Sequence, residues 1–542
     1  MHAKPQREDD GRAPPAPTGR RLSACPRKFA RSCVSAGRSA SPLALPTSAE
    51  RVPRPRCSPT EYAPTFLGAE RRAPRPLGST TGADTPPARP VRCPARLPGW
   101  ADNGSLDLWS GNVQSPLTAG QLEIWISQVL EPSSPVYNVG DYYEITGAVD
   151  AKLLEAAART AVDEAGSLGA RFLVATDGTP YQELGPAEWS FEVLDMSERP
   201  DPDAAAVAWM RAEMARPVDL TCGSLLAGAL IKVSRDRHFW YRRFHHIITD
   251  GHGTAAVARR TAALYHSMHT GSPCEPNPFA PVTAAVEHDR AYRAGRMYAA
   301  DREFWEKVAL DWPATGRLRA DAPPAPVTLQ YSHHLPRQVV DAVRARSERL
   351  EVSIARFLIT AAALYLWQLT DADEVTFGCS ATSRPTRLLR NVVAPMANLL
   401  PFRVPVEPER SVTDTFQRTD RQIGQALRHH RYRYEEFRRT LAAGPEQHSV
   451  GPVVNIVNFD RDLRFGSATG VVRTLVTGPI PDLGLYFDVH SEDAGTSVCV
   501  EANPANYTAE EAARHAEGLG GLVRELAGVD PGVPVRALRR LR

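Results

Sequence analysis

Residues 237–251 read RHFWYRRFHHIITDG. From Arg237 to Ile248 the run is aromatic and β-branched, and it stops at Thr249-Asp250-Gly251, so the pattern predicts a strand running into a tight turn. Successive side chains on a strand point to opposite faces, so His245 and His246 cannot do the same job. One faces the core or a supporting group; the other can face a cavity. Histidine titrates near neutrality, which suits it to take a proton from an attacking amine or hydroxyl. Asp250 can lock the loop by pairing with a cation, and Gly251 permits the turn. Three plainer readings compete: two packed, hydrogen-bonded core histidines; a metal site with His238 or His252, although adjacent positions on one strand chelate poorly; and an ordinary Asp-Gly turn.

Working outward, residues 253–268 read as a helix following that turn. Upstream, residues 119–130 (AGQLEIWISQVL) set Leu122, Trp125, Ile126 and Val129 at i, i+3, i+4, i+7, the spacing of an amphipathic helix. Residues 142–146 predict a short strand and residues 151–165 a helix. Downstream, residues 301–310 predict a short helix, and residues 353–369 (SIARFLITAAALYLWQL), apolar almost all round, a buried one. Strands are expected at 375–379, 399–406, 453–459, 485–490 and 497–502, and an amphipathic helix at 509–526. Alternating elements over so long a stretch exceed one comfortable core, so two packed α/β lobes are expected.

The 542 residues carry 64 Lys+Arg against 62 Asp+Glu, a balance that argues against a dedicated nucleic-acid partner. No apolar run reaches the ~18 residues that a membrane span needs. Of the 47 prolines, 18 lie in residues 1–100, together with 18 Lys+Arg and 7 Asp+Glu, so this stretch carries +11 and the remainder −9. Residues 1–110 read as a Pro/Arg-rich arm without a core, expected to be disordered, or as sequence ahead of a start further downstream. No apolar stretch follows Met1 as a secretory signal would require. None of the cysteines forms a C-x-x-C pair, so neither a zinc site nor a disulfide framework is signalled, and a reducing, cytoplasmic setting is expected.

HHIITDG is similar to the HHxxxDG signature of condensation domains from non-ribosomal peptide synthetases, and further landmarks of that family follow in order. Residues 117–128 (LTAGQLEIWISQ) resemble its first motif and residues 287–305 (EHDRAYRAGRMYAADREFW) its fourth. Residues 394–404 (APMANLLPFRV) resemble the fifth, and residues 430–437 (HRYRYEEF) and 453–459 (VVNIVNF) the last two. The resemblance covers about residues 112–540. It leans toward starter-type domains, which acylate the first amino acid of an assembly line, with the serine module of a siderophore synthase as the nearest likeness. Where elongation domains carry an Arg-His-Glu cluster this chain reads DEAGSLGARF at 163–172, a departure that fits starter domains and leaves the donor class open.

The resemblance implies an α/β (α+β) fold of two chloramphenicol-acetyltransferase-like lobes in a V, with an active-site tunnel between them. The lobes are expected at 111–285 and 286–535. Phosphopantetheine arms of a donor and an acceptor carrier protein would enter from opposite faces, with no cofactor bound covalently to the chain and no metal. The amine of one thioester would attack the acyl carbon of the other. By carry-over, His246 is the catalytic histidine, His245 supports it, Asp250 fixes the loop and Gly251 lets it approach the reacting centre. Arg384, in SATSRPTR, is expected to form the ion pair with Asp250, and Asn398 to hydrogen-bond inside the tunnel. The expectation is a free-standing amide-forming enzyme of siderophore or lipopeptide synthesis that recruits carriers and adenylation enzymes in trans. An ester-forming O-acyltransferase of the same fold is the first alternative; a non-catalytic docking module, for which a degenerate histidine motif is usual, is the second.

Overall fold

The computed structural model describes residues 113–538 apart from 314–317, 320, 321, 324, 326, 443–449, 458–461, 477, 481 and 490–495. The arm expected at residues 1–110 and the ends of the strands expected at 453–459 and 485–490 lie outside the described residues.

Two mixed six-stranded sheets carry the fold. The first runs, edge to edge, Leu463–Phe465, Ala468–Val476, Asn138–Thr146, Arg237–His245, Leu226–Lys232 and Ser190–Asp195. The second runs Asn398–Pro405, Glu374–Ala381, Val453–Val457, Leu483–Val489, Thr496–Ala502 and Leu329–Leu335. A small third sheet joins Val113–Pro116, Pro180–Leu184 and Arg171–Val174. Each large sheet has its own core. Trp240 and Phe244 belong to the first, and the helix Ile354–Thr370, buried without a break from Phe357 to Trp367, fills the second.

Local signals place the helices that matter for the site. The helix Ala151–Ala165 begins where Asp150 accepts from the N–H groups of Lys152 and Leu153, and it ends at Gly166 with φ 67°, a left-handed turn that favours glycine. Its small face packs beside the helix Gly251–Thr270, where Ala157, Ala158 and Ala161 share the first core with Val257 and Ala258.

Two sequence expectations need correction. Sheet membership does not follow a boundary at 285/286, because residues 463–476 return to the first sheet. Ala468–Val476 pairs along Asn138–Thr146 from Thr469↔Thr146 to Val476↔Gly140, and Phe465, Ala468 and Val472 are buried with Tyr143 and Trp240. Without that return Asn138–Thr146 would be an open edge, with its backbone groups unpaired. The helix Ala119–Leu130 has the bounds its spacing predicts, but of the expected inward stripe only Trp125 packs against the first core. Leu122, Ile126, Val129 and Leu130 are 37%, 44%, 51% and 76% exposed, whereas Gln121 and Gln128 are buried. Gln182 and His245 are also buried and need polar partners, which the two glutamines supply.

Candidate active site

At the end of the strand Arg237–His245 the His246 N–H still donates to the Tyr137 carbonyl at 2.7 Å, one step on from the pair Asn138↔His245, and the Ile247 N–H is the first to leave the ladder, donating to His245 Nδ1. The Ile248 N–H turns back to the His245 carbonyl at 3.1 Å, and the buried Ile247 and Ile248 anchor the turn. Asp250 then caps the helix Gly251–Thr270, its Oδ1 accepting from the Gly253 N–H at 3.1 Å.

Asp250 and Arg384 meet as a two-pronged pair. Nη1 donates to Oδ2 at 2.8 Å and Nη2 to Oδ1 at 3.0 Å, with each side chain 1% exposed. The backbone N–H groups of Met396 and Ala397 both donate to Oδ2 at 2.9 Å. Arg384 also donates to the carbonyls of Thr382 and Ala394. Burial works to raise the Asp250 carboxyl, but the Arg384 guanidinium and the N–H donors of Ala397 and Gly253 outweigh it and hold the group at about 2. The carboxylate is therefore ionised throughout the working range and committed to five donors. It joins the turn after the first sheet's strand to the segment leading into the second sheet's edge strand.

The two histidines differ as the alternation of a strand requires. His245 is buried; its Nδ1 accepts from the Ile247 N–H at 3.3 Å and its Nε2 lies 3.1 Å from Gln128 Oε1. Both ring nitrogens are thus engaged, which answers the packed-histidine reading for this residue and leaves no nitrogen for a metal. Burial, with His246 and Arg243 adding to it, pushes the ring down to about 3. A ring held neutral when folded, but free to protonate near 6.5 when unfolded, contributes stability that is present above about pH 6.5 and is lost as pH falls toward 3. His245→Asn is expected to flatten the acid side of the stability curve by ~1.4 kcal/mol per pH unit; urea unfolding at several values between about pH 6.5 and 4.5 measures it.

His246 is only half-buried. Among the described residues its Nδ1 is enclosed without a hydrogen-bond partner. Gly478, at φ 132°, lies beside it: a Cβ built there would stand 3.6 Å from His246 Cδ2. Of the other metal candidates, His252 holds the Arg390 carbonyl through Nε2 at 2.9 Å, and His238 is buried within the strand Arg237–His245.

Two further expectations change. Asn398 is buried with its amide committed to backbone: Nδ2 donates to the carbonyls of His430 and Tyr432, and Oδ1 accepts from the Tyr434 N–H. It clamps the 430–434 loop, leaving no N–H to offer a substrate. Gly251 is exposed, and a Cβ there would meet nothing within 4 Å, so packing does not demand glycine. What it leaves is open space beside the turn. Sequence reasoning missed Gln128, Tyr137 and Gly478. Gln128 falls inside the quoted first motif, but its polarity reads as a solvent-facing residue until the helix is seen to turn Gln121 and Gln128 inward.

A family model described as the condensation domain matches residues 113–470. The chain is 34% identical over 451 residues to an isonitrile lipopeptide synthase of Streptomyces coeruleorubidus, covering 82% of this chain and 30% of that protein. It is 29% identical over 432 residues to enterobactin synthase component F of Escherichia coli (strain K12), covering 77% and 32%. The chain thus spans about a third of the length of these relatives. Among solved structures, a starter condensation domain of rhizomide synthetase in complex with C8-CoA superimposes with a TM-score of 0.72 at 32% identity, covering 79% of this chain and 98% of that one. The chain belongs to the condensation-domain family of non-ribosomal peptide synthetases, and its fold is the two-lobed chloramphenicol-acetyltransferase-like one. Domains of this family are acyltransferases that form amide bonds on carrier-bound substrates.

Proposed function

We propose that this chain acylates the amine of a carrier-bound amino acid with an acyl group from a second carrier, as a starter-type condensation domain in the making of a siderophore or lipopeptide. One observation carries the reading. Of the two histidines of the HHxxxDG turn, His246 alone keeps a ring that is only half-buried, while His245 and Asp250 are fully occupied in holding that turn. A thioester is already a reactive acyl donor, so bringing the two tethered ends together supplies much of the rate. His246 Nε2 then takes a proton from the attacking amine, or stabilises the charge that develops as the amine adds. Asp250 cannot hold the His246 ring as a triad carboxylate would, because its oxygens are spent on Arg384 and on backbone N–H groups. The phosphopantetheine arms belong to the carriers, adenylation enzymes load the aminoacyl one, and the cytoplasm supplies the acyl thioesters.

The reading is tested by mixing the protein with separately purified, acyl-loaded donor and aminoacyl-loaded acceptor carriers and following the acceptor by mass spectrometry. The expected product is an N-acylated aminoacyl carrier. Offering a hydroxyl acceptor beside the amine separates amide from ester formation; preferential ester formation overturns the amide reading.

The outward stripe of the helix Ala119–Leu130 supports carriers as partners. Exposed apolar residues in a row mark an interaction surface, and here Leu122 lines a groove of about 820 Å³ together with Glu123, Arg290, Arg293, Tyr298 and Arg439. Replacing Leu122 and Ile126 together by Asp is expected to raise KM for a carrier-bound substrate roughly 10-fold, the loss of a modest interfacial contact. The same substrate on a short pantetheine thiol should turn over as before; an equal effect on both would remove the stripe from the docking surface.

A further inference from the structure

We propose that Gln128 is a positioning residue for the reaction: it fixes the tautomer of His245, and His245 in turn sets the turn from which His246 projects. The inference rests on the condensation reading above and adds to it a residue one helix removed from the reacting atoms.

The chain of contacts has one direction at each link. Gln128 is buried, and its side-chain Nε2 lies 3.1 Å from the Glu131 carbonyl, 3.3 Å from that of Pro132 and 3.1 Å from that of Ser134. Carbonyls only accept, so the amide's N–H₂ end must face them and its Oε1 must face His245. Oε1 also only accepts, so His245 Nε2, 3.1 Å away, must carry the proton. A neutral imidazole protonated at Nε2 has a bare Nδ1. That lone pair holds the Ile247 N–H, the backbone donor immediately after His246. On the other side of His246, its own N–H is held by Tyr137, in the same 131–137 segment whose carbonyls orient Gln128. The backbone around His246 is thus gripped on both sides from one short segment, once directly and once through Gln128 and His245. The opposite tautomer would set two N–H donors against each other at Ile247 and loosen the second grip. The low affinity of the buried His245 ring for a second proton keeps this arrangement single over the working range.

Gln128→Met, close in shape but with no amide, tests this. The expected result is a fall in kcat of roughly 10- to 100-fold, the scale of a displaced reacting group, with KM for both loaded carriers within about twofold. Nitrogen NMR on histidine-labelled protein should show His245, identified by loss of its signals in His245→Asn, as the Nε2–H tautomer in the native protein and as a mixture in Gln128→Met. Adding Gln128→Met to His245→Asn should change kcat no further, since the route is already cut. A merely structural glutamine would leave the tautomer alone and add its effect to that of His245→Asn. Either of those results, or wild-type kcat in a folded Gln128→Met protein, overturns the proposal. If Gln128→Met does not fold, His245→Asn against His245→Ala decides it. Asn keeps an acceptor where Nδ1 stands and should turn over roughly 10-fold or more faster; equal rates overturn the proposal. A native protein that turns over no loaded carrier at all overturns the condensation reading instead, and the tautomer measurement then still decides whether Gln128 sets His245.

Discussion

His246→Ala is expected to cut amide formation between loaded carriers by ~10²–10⁴-fold, the worth of a positioned general base, with the folded protein otherwise unchanged. The ring is half-buried and its Nδ1 has no hydrogen-bond partner among the described residues, so its removal breaks none of the described hydrogen bonds at that atom. The turn that carries it is fixed by backbone contacts, from His246 N–H to Tyr137 and from Ile248 N–H to His245, which alanine retains. Thermal unfolding and single-turnover rates, measured on the same preparation, check both halves. Turnover close to that of the native protein would take the proton-transfer role away from this residue. A rate that falls only together with stability would make the ring structural.

Asp250→Ala is expected to cost ~3–5 kcal/mol of stability, the penalty for leaving a buried charge without its partner, along with the loss of a helix cap worth about 1 kcal/mol. Arg384 would stay ionised and enclosed, facing only carbonyls, and the N–H groups of Met396 and Ala397 would lose their acceptor. Soluble yield and urea midpoint should drop. Asp250→Asn, which keeps an acceptor for the cap, should fall between. Because the interaction is pairwise, Arg384→Met combined with Asp250→Ala should recover part of the loss, a non-additivity that a double-mutant cycle measures. Normal yield and midpoint with abolished turnover would reverse the assignment and give Asp250 a chemical part. The pair also predicts acid behaviour. A carboxyl held at about 2 when folded contributes stability that is present above its ordinary value near 3.8 and is lost as pH falls through about 2.

Much of this was legible in the sequence wherever a signal is local. The helix Ala151–Ala165 lies between an aspartate cap and a left-handed glycine, and both its bounds are predicted by pattern. The pattern runs the strand ending at His245 on to Ile248, because Ile247 and Ile248 are β-branched and apolar. They are indeed buried, but in a turn whose donors leave the ladder. The spacing of Leu122, Trp125, Ile126 and Val129 locates a helix axis but not the side that faces in. That depended on Gln182 and His245, whose need for partners appears only once three distant segments meet. The commitment of Asn398 is hidden for the same reason, as the carbonyls that engage it come from residues 430 and 432. The return of residues 463–476 to the first sheet had no local sign, since a short run of Val, Thr and Gly says nothing about which edge it will join.

That return has a consequence for how the molecule is made. A ribosome delivers Asn138–Thr146 more than 300 residues before Ala468–Val476, the partner that covers it. During that interval the nascent chain exposes an open β-edge, a template for joining the wrong neighbour. Vectorial synthesis therefore cannot finish the amino-terminal half on its own. An expression fragment cut anywhere before Ala468 should be prone to aggregate, and supplying the missing hairpin as a separate peptide should rescue it in part.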